Sequence, residues 1–142
     1  MSRERLFLDT AFIQALLNSY DEYHQQAKQL FPRVRSAAEV WLTEAILVEV
    51  GNALSRLNRN GAVQFIQQCY RTDNIRVVIP QTSIQFQTAL TLYEQRPDKE
   101  WSQTDCVSFQ IMEEQVIQEA LAYDKHFVQA GYMALMRNCP HL

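Results

Sequence analysis

The chain has 142 residues, 47% of them hydrophobic and 20% charged, which is the size and balance of one globular domain spanning residues 1–142 and excludes disordered, collagenous and low-complexity classes. Three widely spaced cysteines (Cys69, Cys106, Cys139) form no CxxC pair, so neither a zinc ribbon nor a disulfide framework is indicated, and the usage fits a reducing, cytoplasmic compartment. A net charge of −3 argues against a protein that coats nucleic acid by bulk charge, though not against an enzyme that touches it locally.

Leu6-Phe7-Leu8 reads as a short buried strand, too short for a signal-peptide core. No stretch approaches the roughly 18 apolar residues of a membrane span, so no membrane partner is expected. Asp9-Thr10 suits the cap of a helix over Ala11 to Ser19, and a second helix is expected over Glu22 to Leu30, ending before Pro32. Val40-Trp41-Leu42 is the next strand. Thr43 then caps a helix from Glu44 to Leu57, with Ile46, Val50, Ala53 and Leu57 as its apolar stripe. Asn60-Gly61 ends that helix, and Ala62 to Tyr70 starts another.

Ile75 to Ile79, with Val77-Val78-Ile79 stopped by Pro80, reads as a buried strand. Thr82 or Ser83 caps a helix to about Gln95. Arg96 to Gln103 is a loop, and Thr104 caps a helix over Asp105 to Glu113. Glu119 to Tyr123 is a strand, Lys125 to Gln129 a short helix broken by Gly131, and Tyr132 to Met136 a last strand. Short apolar strands alternating with helices predict an α/β fold: a central, mostly parallel sheet with helices on both faces. Ligands of such sheets bind outside the carboxyl ends of the strands, where Asp9 and Asp124 are expected.

Four acids stand where a solvated surface acid is not expected. Asp9 follows an apolar strand; it is either a helix cap or a site residue. Glu49 lies in the most apolar part of its helix, about 60° from Ile46 at 100° per residue, on the edge of the buried stripe. Asp105 opens a helix and shares a face with Ser108, Phe109, Met112 and Val116. Asp124 follows Ala120-Leu121-Ala122-Tyr123 and could cap the next helix. The fold brings strand ends and helix starts to one rim. Two charges about 4 Å apart there repel by about 4 kcal/mol at an effective dielectric of about 20. A hard divalent cation, Mg²⁺ or Mn²⁺, relieves that conflict, since it prefers carboxylate oxygens and needs no His or Cys. With one or two ions, such a site can activate a water and stabilise the leaving oxygen of a phosphodiester.

The segments around these acids are Leu6-Phe7-Leu8-Asp9-Thr10, then Thr43-Glu44-Ala45-Ile46-Leu47-Val48-Glu49-Val50-Gly51-Asn52-Ala53-Leu54. Lys99-Glu100-Trp101-Ser102-Gln103-Thr104-Asp105-Cys106-Val107-Ser108-Phe109 and Ala120-Leu121-Ala122-Tyr123-Asp124-Lys125-His126-Phe127 follow. In this order, across nearly the whole chain, they resemble the PIN-domain ribonucleases, in particular the toxin half of VapBC-type toxin–antitoxin pairs. The resemblance implies a PIN-like parallel α/β domain and a Mg²⁺- or Mn²⁺-dependent endoribonuclease. Its four acids would be Asp9, Glu49, Asp105 and Asp124, serving as metal ligands and catalytic residues, with the Thr104 hydroxyl supporting the third. It also implies an RNA substrate, an antitoxin protein as partner and a homodimer. Gln103 departs from the pattern, standing where an apolar residue precedes Thr-Asp.

Two other classes compete. One is a non-catalytic interaction protein on the same scaffold, its acids only capping helices. The other is a phospho-acceptor α/β module. A haloacid-dehalogenase type needs an Asp two residues after its nucleophile, where Ala11 stands, and a receiver domain carries its Asp after a central strand, whereas Asp9 follows the first. Among the remaining residues, His126 either contacts phosphate or is a polar member of a short helix. Cys106 reads as a small core residue, Asp98 as a loop acid, and Trp41 and Trp101 as packing. Arg33, Arg35, Arg96, Lys99 and Lys125 are either guides for an RNA backbone or solvated surface charge.

Overall fold

Leu6, Phe7 and Leu8 are wholly buried because strand β1 (Arg5–Leu8) runs through the middle of a sheet. The computed structural model describes residues 3–79 and 84–137. Pro80, the expected caps Thr82 and Ser83, and Cys139 lie outside them. In chain order β1 is followed by α1 (Thr10–Leu17), α2 (His24–Ser36), β2 (Glu39–Thr43), α3 (Glu44–Ala53) and α4 (Arg59–Arg71). Then come β3 (Ile75–Val78), α5 (Ile84–Gln95), α6 (Gln103–Gln115), β4 (Glu119–Leu121), α7 (Lys125–Gln129) and β5 (Met133–Ala134).

The five strands lie in the order β3-β2-β1-β4-β5, and every neighbouring pair is parallel. Right-handed crossovers put α1 to α4 on one face, as the chain steps from β1 outward to β3. The return from β3 to β4 puts α5, α6 and α7 on the other. The direction of winding reverses between β1 and β4. That reversal leaves a crevice at their carboxyl ends, held together by Asp9 N–H donating to Leu121 O at 3.1 Å.

Several boundaries differ from the sequence reading. Helix α2 runs through Pro32 instead of ending before it. Its buried residues Ala27, Leu30 and Val34 outweigh the roughly 3 kcal/mol that an interior proline costs. Helix α3 stops at Ala53, so its buried stripe is Ile46, Leu47, Val50 and Leu54, while Leu57 is exposed. Asn60-Gly61 does not end a helix but lies in the first turn of α4. Asn58 caps that turn: its Oδ1 accepts from Gly61 N–H at 3.0 Å and its Nδ2 donates to Leu17 O at 2.8 Å. A Cβ at position 61 would clash with the Asn58 amide, so any larger residue there has to displace the side chain that caps α4.

β3 is an edge strand, half-buried instead of buried, because it pairs only with β2. The cap of α6 is Ser102 and not Thr104, which moves the helix start forward to Gln103. Val116, expected on the core stripe of that helix, is its exposed left-handed C-cap at φ 55°. The last strand shrinks to Met133–Ala134, entered by a turn at Gly131 whose φ of 98° favours glycine. Among the described residues no helix is long and apolar enough to cross a membrane.

Candidate active site

The carboxyl ends of β1 and β4 and the first turns of α1, α6 and α7 surround a cleft of about 300 Å³. Asp9, Glu49, Asp105 and Asp124 all line it, together with Glu100 and His126. Four segments that are distant in sequence therefore meet at the crevice.

Asp9 stands at the N-cap position of α1, yet its side chain makes no capping bond. The carboxylate is only 7% exposed. Burial pushes its pKa up to about 8, helped by the charges of Asp124 and Asp105 and, more weakly, Glu49; the Thr10 backbone N–H pulls the other way. Capping therefore does not explain this acid. Glu49 reaches the cleft from α3 because the Thr10 hydroxyl donates to its Oε1 at 2.5 Å.

Asp105 is held by a reciprocal cap. Its N–H donates to Ser102 Oγ at 2.9 Å, and its Oδ2 accepts from Ser102 N–H at 3.0 Å. The same Oδ2 is 3.1 Å from His126 Nδ1. Burial raises the Asp105 pKa; the Ser102 bond and His126 oppose that shift while Asp124 adds to it. Asp124 caps α7 through Oδ1, which accepts from His126 N–H at 3.0 Å and lies 3.7 Å from His126 Nδ1. Asp124 thus both caps α7 and lines the cleft.

The oxygens gathered here are of the hard carboxylate kind that a divalent cation prefers, around one buried acid with no cationic partner among the described residues. Each hydrogen bond just described uses one oxygen of its carboxylate and leaves the other. Among the described residues no three acidic, His or Cys side chains converge into a complete metal-holding group as they stand. The His126 ring lies between Asp105 and Asp124.

Thr104 sits one residue before Asp105, but the hydroxyl that meets Asp105 belongs to Ser102, while the Thr104 carbonyl accepts from Ser108 Oγ. Gln103 turns toward α5, its Nε2 reaching Phe86 O at 3.5 Å and its buried Oε1 unpartnered among the described residues. Asp98 pairs with Arg96 at 3.0 Å and does not line the cleft. Cys106 is buried, with its thiol pushed up to about 11 by burial and then by the Asp105 charge, which suits a core residue and not a nucleophile. Arg33 pairs with Glu4 and Glu119 at the amino ends of β1 and β4, the end of the sheet away from the cleft.

Sequence reasoning missed Thr10, Ser102 and Glu100. A hydroxyl directly after Asp9 and one three residues before Asp105 were the available signals. Thr10→Val keeps the shape and removes the donor. Cleavage assays should show about a tenfold loss of activity, while thermal melting should change by no more than about 1 kcal/mol. Full activity in this variant would show that Glu49 needs no tether.

This fold, with four acids at the turning point of a parallel sheet, defines a PIN-like α/β domain. No family model matches the chain, and no curated protein does. Among solved structures it is similar to VapC20 of Mycobacterium tuberculosis, a sarcin-ricin loop cleaving toxin. The TM-score is 0.81 at 28% identity, over 91% of this chain and 97% of that one.

Proposed function

We propose that the protein is an endoribonuclease that hydrolyses RNA phosphodiester bonds with the help of Mg²⁺ or Mn²⁺, and that it is the toxin of a toxin–antitoxin pair. The observation that carries this reading is the meeting of Asp9, Glu49, Asp105 and Asp124 at one cleft, with Asp9 buried and its pKa raised to about 8. Such an arrangement is electrostatically costly unless a cation offsets it. The likeness to VapC20, a sarcin-ricin loop cleaving toxin, supports the same reading.

In this reading the four carboxylates hold the cation. When bound, it supplies charge neutralisation and Lewis acidity toward the scissile phosphodiester. The chain's own residues do the positioning. Thr10 aims Glu49 into the cleft, and Ser102 fixes Asp105 at the first turn of α6. His126 sets the separation of Asp105 from Asp124. Lys125, exposed and next in sequence to Asp124, is a cation available to an RNA backbone. The reading also brings an antitoxin protein as inhibitor, a homodimer and a cytoplasmic location.

The test is cleavage of one structured and one unstructured RNA by the purified protein with Mg²⁺, with Mn²⁺ and with EDTA, beside thermal melts in the same buffers. Cutting should require the metal. At a hundred times its dissociation constant the metal should stabilise the fold by about 2.7 kcal/mol. Equal cutting in EDTA would remove the metal from the account. No cutting and no stabilisation would leave the acids as structural groups of an interaction protein.

A further inference from the structure

The acidic cleft continues into a second hollow of about 250 Å³, and Ala11 and Gln14 form a wall common to both. This hollow is built differently. Its aromatic side is a pair of tyrosines, Tyr23 from the turn before α2 and Tyr123 from the residue before Asp124. Their ring centroids are 4.0 Å apart with planes tilted by 32°. The neighbouring Tyr123 side chain, and then burial, push the Tyr23 hydroxyl up to about 12. The Arg137 guanidinium lies 5.7 Å from the centre of the Tyr123 ring and donates to Tyr123 O at 3.3 Å. The Tyr23 ring and the Arg137 guanidinium both lie against Tyr123, and an aromatic platform of this kind can take a further flat ring.

The polar side of the hollow is made of acceptors. Asp21 and Glu22 both line it. Asp21 commits Oδ1 to Tyr23 N–H at 2.8 Å, which fixes the carboxylate and leaves its second oxygen. Glu22 is exposed at the mouth. A carboxylate beside an aromatic platform selects a planar ligand with adjacent N–H donors. Among nucleobases, guanine alone presents an imino N1–H next to an amino N2–H₂, which a single carboxylate can accept together. Adenine and cytosine offer only the amino group, and uracil only the imino group. RNA bases are read in this way, by stacking on aromatic side chains and by hydrogen bonds along their Watson–Crick edges.

We propose that the hollow walled by Tyr23, Tyr123, Asp21 and Glu22 is a base subsite that receives a guanine next to the scissile phosphodiester. The proposal rests on the ribonuclease reading above and adds to it a preference for the flanking base. Arg137 supplies the positive charge on this side of the cleft, beyond the two carboxylates that read the base.

The experiment compares short single-stranded RNAs carrying one guanosine with the same RNAs carrying inosine, which lacks only the N2 amino group. Binding is read by fluorescence anisotropy in EDTA, and cleavage by kcat and KM in Mn²⁺. The parent should bind the guanosine RNA at least roughly tenfold more tightly than the inosine RNA and cut beside the guanosine. Glu22→Gln with Asp21→Asn, both on the surface side of the hollow and isosteric, should abolish that preference and raise KM while leaving kcat unchanged. Tyr23→Leu should weaken both RNAs alike, by about tenfold, because stacking does not discriminate. An equal guanosine-to-inosine ratio in parent and variants, with metal-dependent cutting intact, would overturn the subsite and leave the ribonuclease standing. A parent that neither binds nor cuts any of these RNAs would overturn both.

Discussion

In EDTA, the Asp9→Asn protein should unfold at higher denaturant than the parent at pH 8 and at the same denaturant at pH 4. The unfolded chain releases the Asp9 proton near its ordinary value of 3.8, whereas the folded chain holds it up to about 8. Between these values the folded state carries the extra proton, so the parent loses stability steadily as pH rises. The full loss, reached near pH 8, is on the order of 5 kcal/mol at 1.36 kcal/mol per unit. Asparagine has no charge to bury and escapes it. Titrating groups away from the cleft are common to both proteins and cancel in the difference, while Asp124, Asp105 and Glu49 lose a like-charged neighbour in the variant, which adds to its gain. The same substitution should lower RNA cleavage at least about a hundredfold, since it removes the most buried of the four carboxylates. Saturating Mn²⁺ should narrow the stability gap by stabilising the parent alone. A pH-independent difference, or a variant less stable than the parent at pH 8, would show that Asp9 is not the strained acid described here.

Phe127→Ala should have the largest purely structural effect, a loss of about 3–5 kcal/mol in chemical denaturation. Phe127 is fully buried, 5.0 Å centroid to centroid from Phe109 in an edge-on contact and 6.3 Å from Phe7. These three rings lie on the segments that carry three of the four acids: Phe7 two residues before Asp9, Phe109 one helical turn after Asp105, and Phe127 one turn after Asp124, while Glu49 is held on α3. The cluster is the mechanical base of the site. A void at Phe127 leaves the five-residue α7 without its anchor, so cleavage should fall together with stability. Phe127→Leu refills most of the volume and should recover most of both. If Phe127→Ala lost stability but kept full activity at low temperature, the acids would be held by their own hydrogen bonds and not by this packing.

The four acids were legible because Asp9, Glu49 and Asp124 each adjoin or interrupt an apolar segment and Asp105 opens a helix with a core-facing stripe, and a parallel sheet has only one rim where strand ends meet helix starts. The supports were not legible. Thr10 and Glu49 lie 39 residues apart, and nothing local says that a hydroxyl after Asp9 faces an acid on α3. Ser102 and Thr104 are both good caps, and only the reciprocal bond with Asp105 chooses between them. Pro32 marked a helix end by local rules, but the buried face of α2 carried the helix past it. The triplet Val77-Val78-Ile79 has the composition of a central strand, yet β3 is at the edge, because strand order is a property of connections and not of composition.

Strand β1 is central and is made first, but its neighbour on one side is β4, which is made late. Some 115 residues separate Asp9 from Asp124. At a translation rate of about 5–20 residues per second, roughly 6–23 s pass between them. Throughout that interval the emerging chain has half a crevice: β1 and β2 can pair, but the wall that brings Asp105, Asp124 and Phe127 does not yet exist. The crevice therefore closes around all four acids only after Asp124 and α7 have been made.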